Sequence, residues 1–453
     1  MKGGAVVNFK LQTSNFKIAL LCVIFLSLGI SANALTLKES VEIALKQNPL
    51  VIASRREVEA ARARLGQATG SFLPSIKLEG NYGRSYNQPS VVQITMPTTL
   101  GAVTQEYTFG TDAATDTRGW TASLSQPLFV APLFPKHALA QKNLTFAQED
   151  LRKVELETTY NVTQAYFGVL KASKMVKLAE DSLKMAQTHL NQVKVMLSVG
   201  TATKGDLLRA EVQVANSETN LTRLKHAYIL AQENFKNVLG LETTEEISVE
   251  EEKLSGSLEA LPQLENILAL ALSARPEWKQ NLLAKEIAEE GVKLVQASYF
   301  PSLLLFAQSG NRVVDYPTYR SDVNSWSVVG AASWNLFDGL VRENQLREAV
   351  AKLEEQRAKE EQVKKGIALE VKEVYLNLKS ALDTISSTKK ALEAAEESYN
   401  FSNQRFLAGV GTNLEVISAQ VSLTQAQVDY LQALFDLELA KAKINRVVGS
   451  KVF

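Results

Sequence analysis

One cysteine, three histidines and 11 prolines are spread over 453 residues. A single cysteine excludes a disulfide-stapled scaffold. Basic and acidic residues balance at 49 each, which excludes a nucleic-acid binder held by bulk charge. No apolar run reaches the roughly 20 residues of a membrane-spanning helix, so a polytopic helical membrane protein is excluded as well. The histidines (His137, His189, His226) fall in helical sequence without metal-ligand spacing and read as ordinary helix residues. There is no Gly-rich phosphate loop and no G-x-S-x-G, so no catalytic constellation, cofactor or metal site is expected. What remains is substantial: 45% of residues are hydrophobic and the net charge is zero, too apolar for a disordered chain. Length alone allows two or three domains.

The N-terminus reads as an address. Lys2, Lys10 and Lys17 precede the stretch Ile18 to Ile30, apolar apart from Ser27 and Gly29, and Ala32-Asn33-Ala34 follows. A basic region, a short apolar region and an A-x-A site predict a signal peptide over 1–34. The stretch is too short to cross about 30 Å of hydrocarbon at 1.5 Å per residue. Cys22 lies inside the apolar run after Leu21, which does not suit lipidation. Cleavage after Ala34 would leave a cysteine-free chain with a small excess of acid, suited to an oxidising compartment.

The rest reads as one unit written twice. Asn48-Pro49 matches Arg275-Pro276, and Phe72-Leu73-Pro74-Ser75 matches Tyr299-Phe300-Pro301-Ser302. Pro127-Leu128-Phe129 matches Asn335-Leu336-Phe337, and Leu239-Gly240 matches Val448-Gly449. Units of this size are too long for solenoid repeats and imply duplication of a whole half. We expect a first repeat over 35–240 and a second over 263–453. The Glu-rich segment 241–262 reads as a solvated linker.

Each half reads helix, two strands, then two long helices. Thr36-Leu37-Lys38-Glu39 has capping-box spacing, and Pro49 suits the first turn of a helix running to about Gly70. The period then changes to two. Ile76, Leu78, Gly80 and Tyr82 alternate with Lys77, Glu79 and Asn81, and Trp120, Ala122 and Leu124 alternate with Thr121 and Ser123. This predicts strands at about 76–87 and 118–130, with a Thr/Gly-rich loop over 88–117. The second half predicts strands at about 302–313 and 324–337, the latter carrying Trp326, Val328, Gly330, Ala332, Trp334 and Leu336 on one face.

No proline occurs between Lys136 and Leu261 or after Pro317. Val162, Ala165, Val169, Ala172, Val176, Ala179, Leu183, Ala186, Leu190 and Val193 keep 3-4 spacing, and Ile367, Val371, Val374, Leu378, Ala381 and Ile385 do the same. Heptads sustained this long predict coiled-coil packing. The segment Gly339 to Leu407 would be about 100 Å long at 1.5 Å per residue, a rod and not a globule. Each rod turns back at 199–206 (Val199-Gly200-Thr201 onward) or 408–415 (Ala408-Gly409-Val410 onward). Gly200 and Gly409 have the place of helix C′ glycines, and Thr203…Asp206 and Thr412…Glu415 have capping-box spacing.

Alternating strands with aromatics (Tyr82, Trp120, Trp326, Trp334) suit the interface of an outer membrane. Lipid admits only closed barrels, and four strands cannot close one. Two copies would give a barrel that side chains nearly fill, while three give 12 strands and a lumen.

With these motifs in order and in both halves, the chain resembles the TolC-like outer-membrane efflux proteins, exit ducts of tripartite pumps and type I secretion systems. The resemblance spans the whole chain after the signal. It implies a mostly α fold with membrane β: a duplicated protomer with long coiled-coil helices and four transmembrane β-strands, forming a trimeric 12-stranded β-barrel continued by a periplasmic α-helical barrel. It implies a homotrimer in outer-membrane lipid, working with a periplasmic adaptor and an inner-membrane transporter, and no nucleic acid. The family's closed tip uses a Tyr, an Arg and Asp residues. Here the Tyr position reads Phe406, the Arg position Gly411, and the two Asp positions Glu415 and Ser418, while the first hairpin keeps Asp206. Any gate must therefore be held differently, with a ring of Glu415 carboxylates as a candidate cation selector. Simple helix capping is the competing reading for Asp206 and Glu415. The turns at Val199, Gly200, Thr201 and at Ala408, Gly409, Val410 resemble adaptor-docking tips. Two other classes stay open: a periplasmic coiled-coil scaffold or adhesin, and an exported enzyme.

Overall fold

The computed structural model describes residues 34–453 apart from 100, 110–111, 243, 245–246, 252–253, 255 and 257–260. The expected signal peptide lies outside the described residues except for Ala34.

The first half contains α1 (Leu37–Gln47), α2 (Pro49–Gly70), β1 (Ser75–Ser85), β2 (Ser90–Thr98), β3 (Gly101–Phe109), β4 (Thr115–Val130), α3 (Leu133–Ser198) and α4 (Lys204–Leu239). The second contains α5 (Leu264–Ala274), α6 (Pro276–Ala297), β5 (Ser302–Asp315), β6 (Arg320–Ser333), α7 (Val341–Leu407) and α8 (Asn413–Val448). Thr36 and Glu39 form a reciprocal capping box that starts α1. At 66 and 67 residues, α3 and α7 are each about 100 Å long.

One antiparallel sheet has the order β1-β4-β5-β6. The helices repeat that order. α3 packs on α2, α4, α6 and α8, and α7 packs on α6 and α8. Because β1 continues α2, α3 continues β4, β5 continues α6 and α7 continues β6, each strand stands over one column of helix. The lateral edges of the protomer are therefore β1 with α2 and α4 on one side, and β6 with α7 on the other.

The short helices stack end to end. Asn48, the N-cap of α2, donates from Nδ2 to the carbonyl of Val238 near the end of α4. Gly449 ends α8 beside Ala274 and Arg275, where α6 begins. Buried side chains gather around these joints and along the rods. One cluster centres on Val162, Tyr166, Val169, Phe235 and Phe435, another on Ile367, Val371, Leu378, Leu437 and Ile444.

Four expectations need correction. The segment 88–117 is not a plain loop, because β2 and β3 pair there as a separate two-stranded ribbon. Val91, Val92, Ile94 and Met96 supply β-formers, and the threonines and Pro97 disguised them. β6 spans Arg320–Ser333, earlier than 324–337, so Trp334 and Leu336 lie beyond it. Ser333 pairs with Ser302, and the preceding Pro301 has no N–H to extend the ladder. β4 starts at Thr115 and β5 reaches Asp315, so the turn before β6 is short and closed by the Tyr316 N–H on the Tyr319 carbonyl. Finally, the acidic linker is anchored rather than free. The Leu35 N–H donates to the Ser248 carbonyl and the Glu250 N–H to the Leu35 carbonyl, the Tyr166 hydroxyl donates to the Glu250 carbonyl, and Ile247, Val249 and Leu254 pack on the first cluster.

Candidate functional site

The sheet has two chemically different faces. Register places Ile76 beside Leu124 and Ala307, and Leu78 beside Ala122; Ala307 in turn pairs with Val328. Tyr82, Trp120, Trp326 and Gly330 share this face. The opposite face carries Lys77, Glu79, Asn81, Thr121, Ser123, Gln308, Arg312, Ser325 and Ser327. One face is mainly apolar and suits hydrocarbon, with Arg118 and Asn311 at its far end, and the other is mainly polar, with Phe306 and Val329 at its helix end. Trp120 pairs with Gly80 and Asn311, and Tyr82 with Arg118, toward the end of the sheet away from the helices. Trp326 pairs with Ser309 in mid-strand. Trp334 sits at the helix end, donating its indole N–H to the Tyr299 carbonyl. No helix among the described residues is long and apolar enough to cross a membrane.

The hairpin tips lie at the far end of the rods. In the first, Val199 is the C-cap of α3, Gly200 takes φ 78°, and the Thr201 N–H donates to the Met196 carbonyl. In the second, Ala408 is the C-cap of α7, Gly409 takes φ 73°, and the Val410 N–H donates to the Arg405 carbonyl. Val199 of the first tip and Val410 of the second are exposed to solvent, at 69% and 68%.

The two candidate acids differ. Asp206 forms a full capping box: its carboxylate accepts from the Thr203 hydroxyl and N–H at 2.6 and 3.0 Å, and Thr203 Oγ1 accepts its N–H. The Thr203 hydroxyl bond first, then the Thr203 backbone bond, hold the Asp206 carboxyl below its ordinary range. At Thr412…Glu415 only half of the box forms. The Glu415 N–H donates to Thr412 Oγ1, but the carboxylate turns away, exposed and 4.0 Å from Arg405 Nε. Ser418 lies one turn further along α8 and is also exposed.

Phe406 and Gly411 do not join these acids. Phe406 is buried against Val193, Ala210 and Val416, a core residue and not a group facing a channel. Gly411 is pressed on the end of α7: an added Cβ would lie 2.9 Å from the Phe406 nitrogen and 3.0 Å from the Arg405 carbonyl carbon. No side chain fits there, so the family's Arg has no place in this turn.

His189 is not an ordinary helix residue. It is buried, its Nε2 lies 2.6 Å from Asn413 Oδ1, and its ring packs 5.1 Å from that of Phe406. The spacing Ala179, Ser182, Ala186, His189, Val193 puts it on the core stripe of α3, a signal that its polarity concealed. Among the described residues no group of His, Cys, Asp or Glu is arranged to hold a metal ion.

Comparison with known proteins places this geometry. The outer membrane efflux protein family model matches residues 41–241 and 267–450, and the chain belongs to that family. It is 23% identical to the alkaline protease secretion protein AprF of Pseudomonas aeruginosa, over 92% of this chain and 85% of that one. It is 24% identical to the cobalt-zinc-cadmium resistance protein CzcC of Cupriavidus metallidurans, over 92% and 91%. The crystal structure of the outer membrane protein VceC from Vibrio cholerae superposes with a TM-score of 0.74, at 17% identity over 92% of this chain and 97% of that one. The fold is therefore that of an outer-membrane efflux protein.

Proposed function

We propose that three copies of this chain close edge to edge into an exit duct that crosses the outer membrane and continues through the periplasm. The supporting observation is the register of the four-stranded sheet, with one apolar face, one polar face and free edges at β1 and β6. Lipid tolerates no unpaired edge. The strands alternate in direction, so β6 of one copy meets β1 of the next antiparallel. Three sheets of four strands give twelve and a lumen, where eight would be nearly filled. The same closure covers the lateral helices, where Leu208, Val212, Leu369 and Leu376 stand exposed in one protomer.

Within that duct, Tyr82 and Trp120 belong at the outer margin of the membrane, Trp334 at the periplasmic margin and Trp326 between them. The tips Val199-Gly200-Thr201 and Ala408-Gly409-Val410 are the docking points for a periplasmic adaptor, which joins the duct to an inner-membrane transporter. Glu415 is the charged group of the gate, flanked by Ser418. Asp206 caps its helix. AprF is named for protease secretion and CzcC for metal resistance. We read this chain as the shared kind of duct, with cargo chosen by the inner-membrane partner and no catalytic residue or cofactor of its own.

The test is reconstitution of the detergent-purified protein in planar lipid bilayers. Discrete conductance steps are expected, with a band of three chains on unheated SDS gels that collapses on boiling. Extraction without detergent, as a periplasmic scaffold or adhesin would show, sinks the reading.

A further inference from the structure

The seam between the two hairpins carries buried polar side chains among its apolar ones. Near the tip the apolar side chains of both hairpins form one cluster, Val193 and Ala210 of the first with Phe406 and Val416 of the second. Beside this cluster, four buried positions between α3 and α8 are polar: Ser182, His189, Asn413 and Gln420. Asn413, 3% exposed, donates from Nδ2 to the Asp206 carbonyl at 3.0 Å, which leaves its Oδ1 to accept. His189, also 3% exposed, must then donate from Nε2 to that Oδ1 at 2.6 Å. One heptad toward the sheet, Gln420 is fully buried and donates from Nε2 to the Ser182 carbonyl at 3.1 Å. The Ser182 and Thr424 hydroxyls lie 3.3 Å apart beside it. On α3 the polar positions are Ser182 and His189, and on α8 they are Asn413 and Gln420, each pair seven residues apart. The helices run antiparallel, so the pairs fall opposite one another as two rungs.

We propose that these rungs, and above all the clasp of His189 and Asn413 on Asp206, fix the register of the second hairpin against the first and so set the resting aperture of the tip. The proposal rests on the channel reading above. Polar residues at single coiled-coil core positions specify register, because any slip strands buried polar atoms. A slide of one turn, about 5.4 Å, would leave the Asn413 amide, the His189 N–H and the Gln420 amide without these partners. An apolar seam would tolerate the same slide. Two further buried atoms of the seam, His189 Nδ1 and Gln420 Oε1, have no protein partner among the described residues. The clasp lies in this chain where the Tyr and Arg positions read Phe406 and Gly411, neither able to bond across the seam. His189, Asn413 and Gln420 are positioning residues: they act on the opening through the placement of α8.

The experiment is resting conductance of purified trimers in planar bilayers, with heat-modifiable trimer on gels measured in parallel. His189→Met keeps the volume but removes the donor. It is expected to raise resting conductance several-fold with trimers intact. His189→Gln keeps an N–H near the position of Nε2 and is expected to stay within twofold of the parent. His189→Met combined with Asn413→Leu should be no more open than either alone, because both remove one clasp. Gln420→Met, one heptad away, gives an independent reading and should open the channel to a smaller extent. Equal conductance for His189→Met and the parent overturns the clasp, and so does His189→Gln as open as His189→Met. If the parent itself forms no pore, the channel reading fails and the clasp with it. A conducting parent with unresponsive variants removes the clasp alone.

Discussion

Asn48 donates its side-chain amide to the carbonyl of Val238 at 2.8 Å, across 190 residues of sequence. The bond joins the start of α2 to the end of α4, so two separate helices form one column beside α3. Gly240 completes the joint in the left-handed region at φ 79°, with no room for a Cβ, which would fall 2.8 Å from the Gln47 carbonyl oxygen. Gly449 does the same at φ 78° against Arg275. The paired sequence motifs of the two halves, Asn48-Pro49 with Leu239-Gly240 and Arg275-Pro276 with Val448-Gly449, are therefore the two sides of one joint built twice. Gly240→Ala must both enter the left-handed region and displace Gln47, a cost of about 2 kcal/mol or more. Asn48→Ala loses a helix cap and a tertiary bond, about 1–2 kcal/mol. Thermal melts of the detergent-solubilised protein should show both variants lowered. An unchanged melt for Gly240→Ala would contradict the joint.

Periodicity carried most of the architecture. The 3-4 stripe of α3 and α7 and the two-residue alternation of β1, β4, β5 and β6 are local patterns, and local patterns are legible. What escaped was set by partners distant in sequence. Ser333 ends β6 because Pro301 lies beyond its partner Ser302, which the alternation through Trp334 and Leu336 could not reveal. His189, Ser182 and Gln420 occupy core positions despite their polarity, because hydrogen bonds between α3 and α8 satisfy them there. At the tip, Thr412 and Glu415 have the same spacing as Thr203 and Asp206, but only the latter pair closes a full box.

Gly411 gives a direct test of the second turn. Its Cα faces the Arg405–Phe406 backbone, with an added Cβ at 2.9 Å from the Phe406 nitrogen. Gly411→Arg, which writes the family's residue into the turn, should therefore loosen the tip instead of restoring a link. A loss of about 1–3 kcal/mol is expected, the usual range for overpacking. Calorimetry on the purified protein checks it, and a variant as stable as the parent would show that the turn yields more easily than its contacts imply.

The two faces of β6 give a matched pair. Val328 pairs with Ala307 on the apolar face, and Ser327 pairs with Gln308 on the polar face. Val328→Arg should impair insertion, costing about 2–4 kcal/mol near the bilayer midplane. Ser327→Arg should insert normally and change conductance instead. Refolding into lipid vesicles from urea measures the first, single-channel recording the second. If the neighbouring substitutions behave alike, the assignment of faces is wrong.

Asp206 makes the first tip sensitive to acid. Its carboxyl is held below the ordinary range by the Thr203 hydroxyl and N–H, so the folded state prefers it ionised. A carboxyl depressed on folding stabilises fully above its unfolded value, about pH 4, and that contribution is lost as pH falls through the lower folded value. Thr203→Ala should cost about 0.5–2 kcal/mol at neutral pH, as cap removals do, and should flatten the acid limb of the stability curve. Asp206→Asn should flatten it too. Denaturant melts between pH 3 and 7 decide, and an acid limb unchanged in both variants would remove Asp206 as its source.

Glu415 is where capping and gating can be separated. Its backbone N–H caps onto Thr412 Oγ1, while its carboxylate takes no part in the box. Glu415→Gln therefore leaves the cap intact and removes only the charge. The nearest cation, Arg405, is itself held by the Val410 carbonyl and lies over the Phe401 ring, with Nε 4.0 Å from the carboxylate. That pair is exposed, so Arg405 offsets the Glu415 field only partly. In a ring of three copies, Glu415→Gln should lower cation preference and Arg405→Gln should raise it. Both effects should be large in dilute salt and shrink toward 1 M, where screening acts within about 3 Å. Reversal potentials across a salt gradient measure this directly. A cation preference that survives Glu415→Gln in dilute salt would leave Glu415 a surface residue at a helix start and place selectivity elsewhere along the duct.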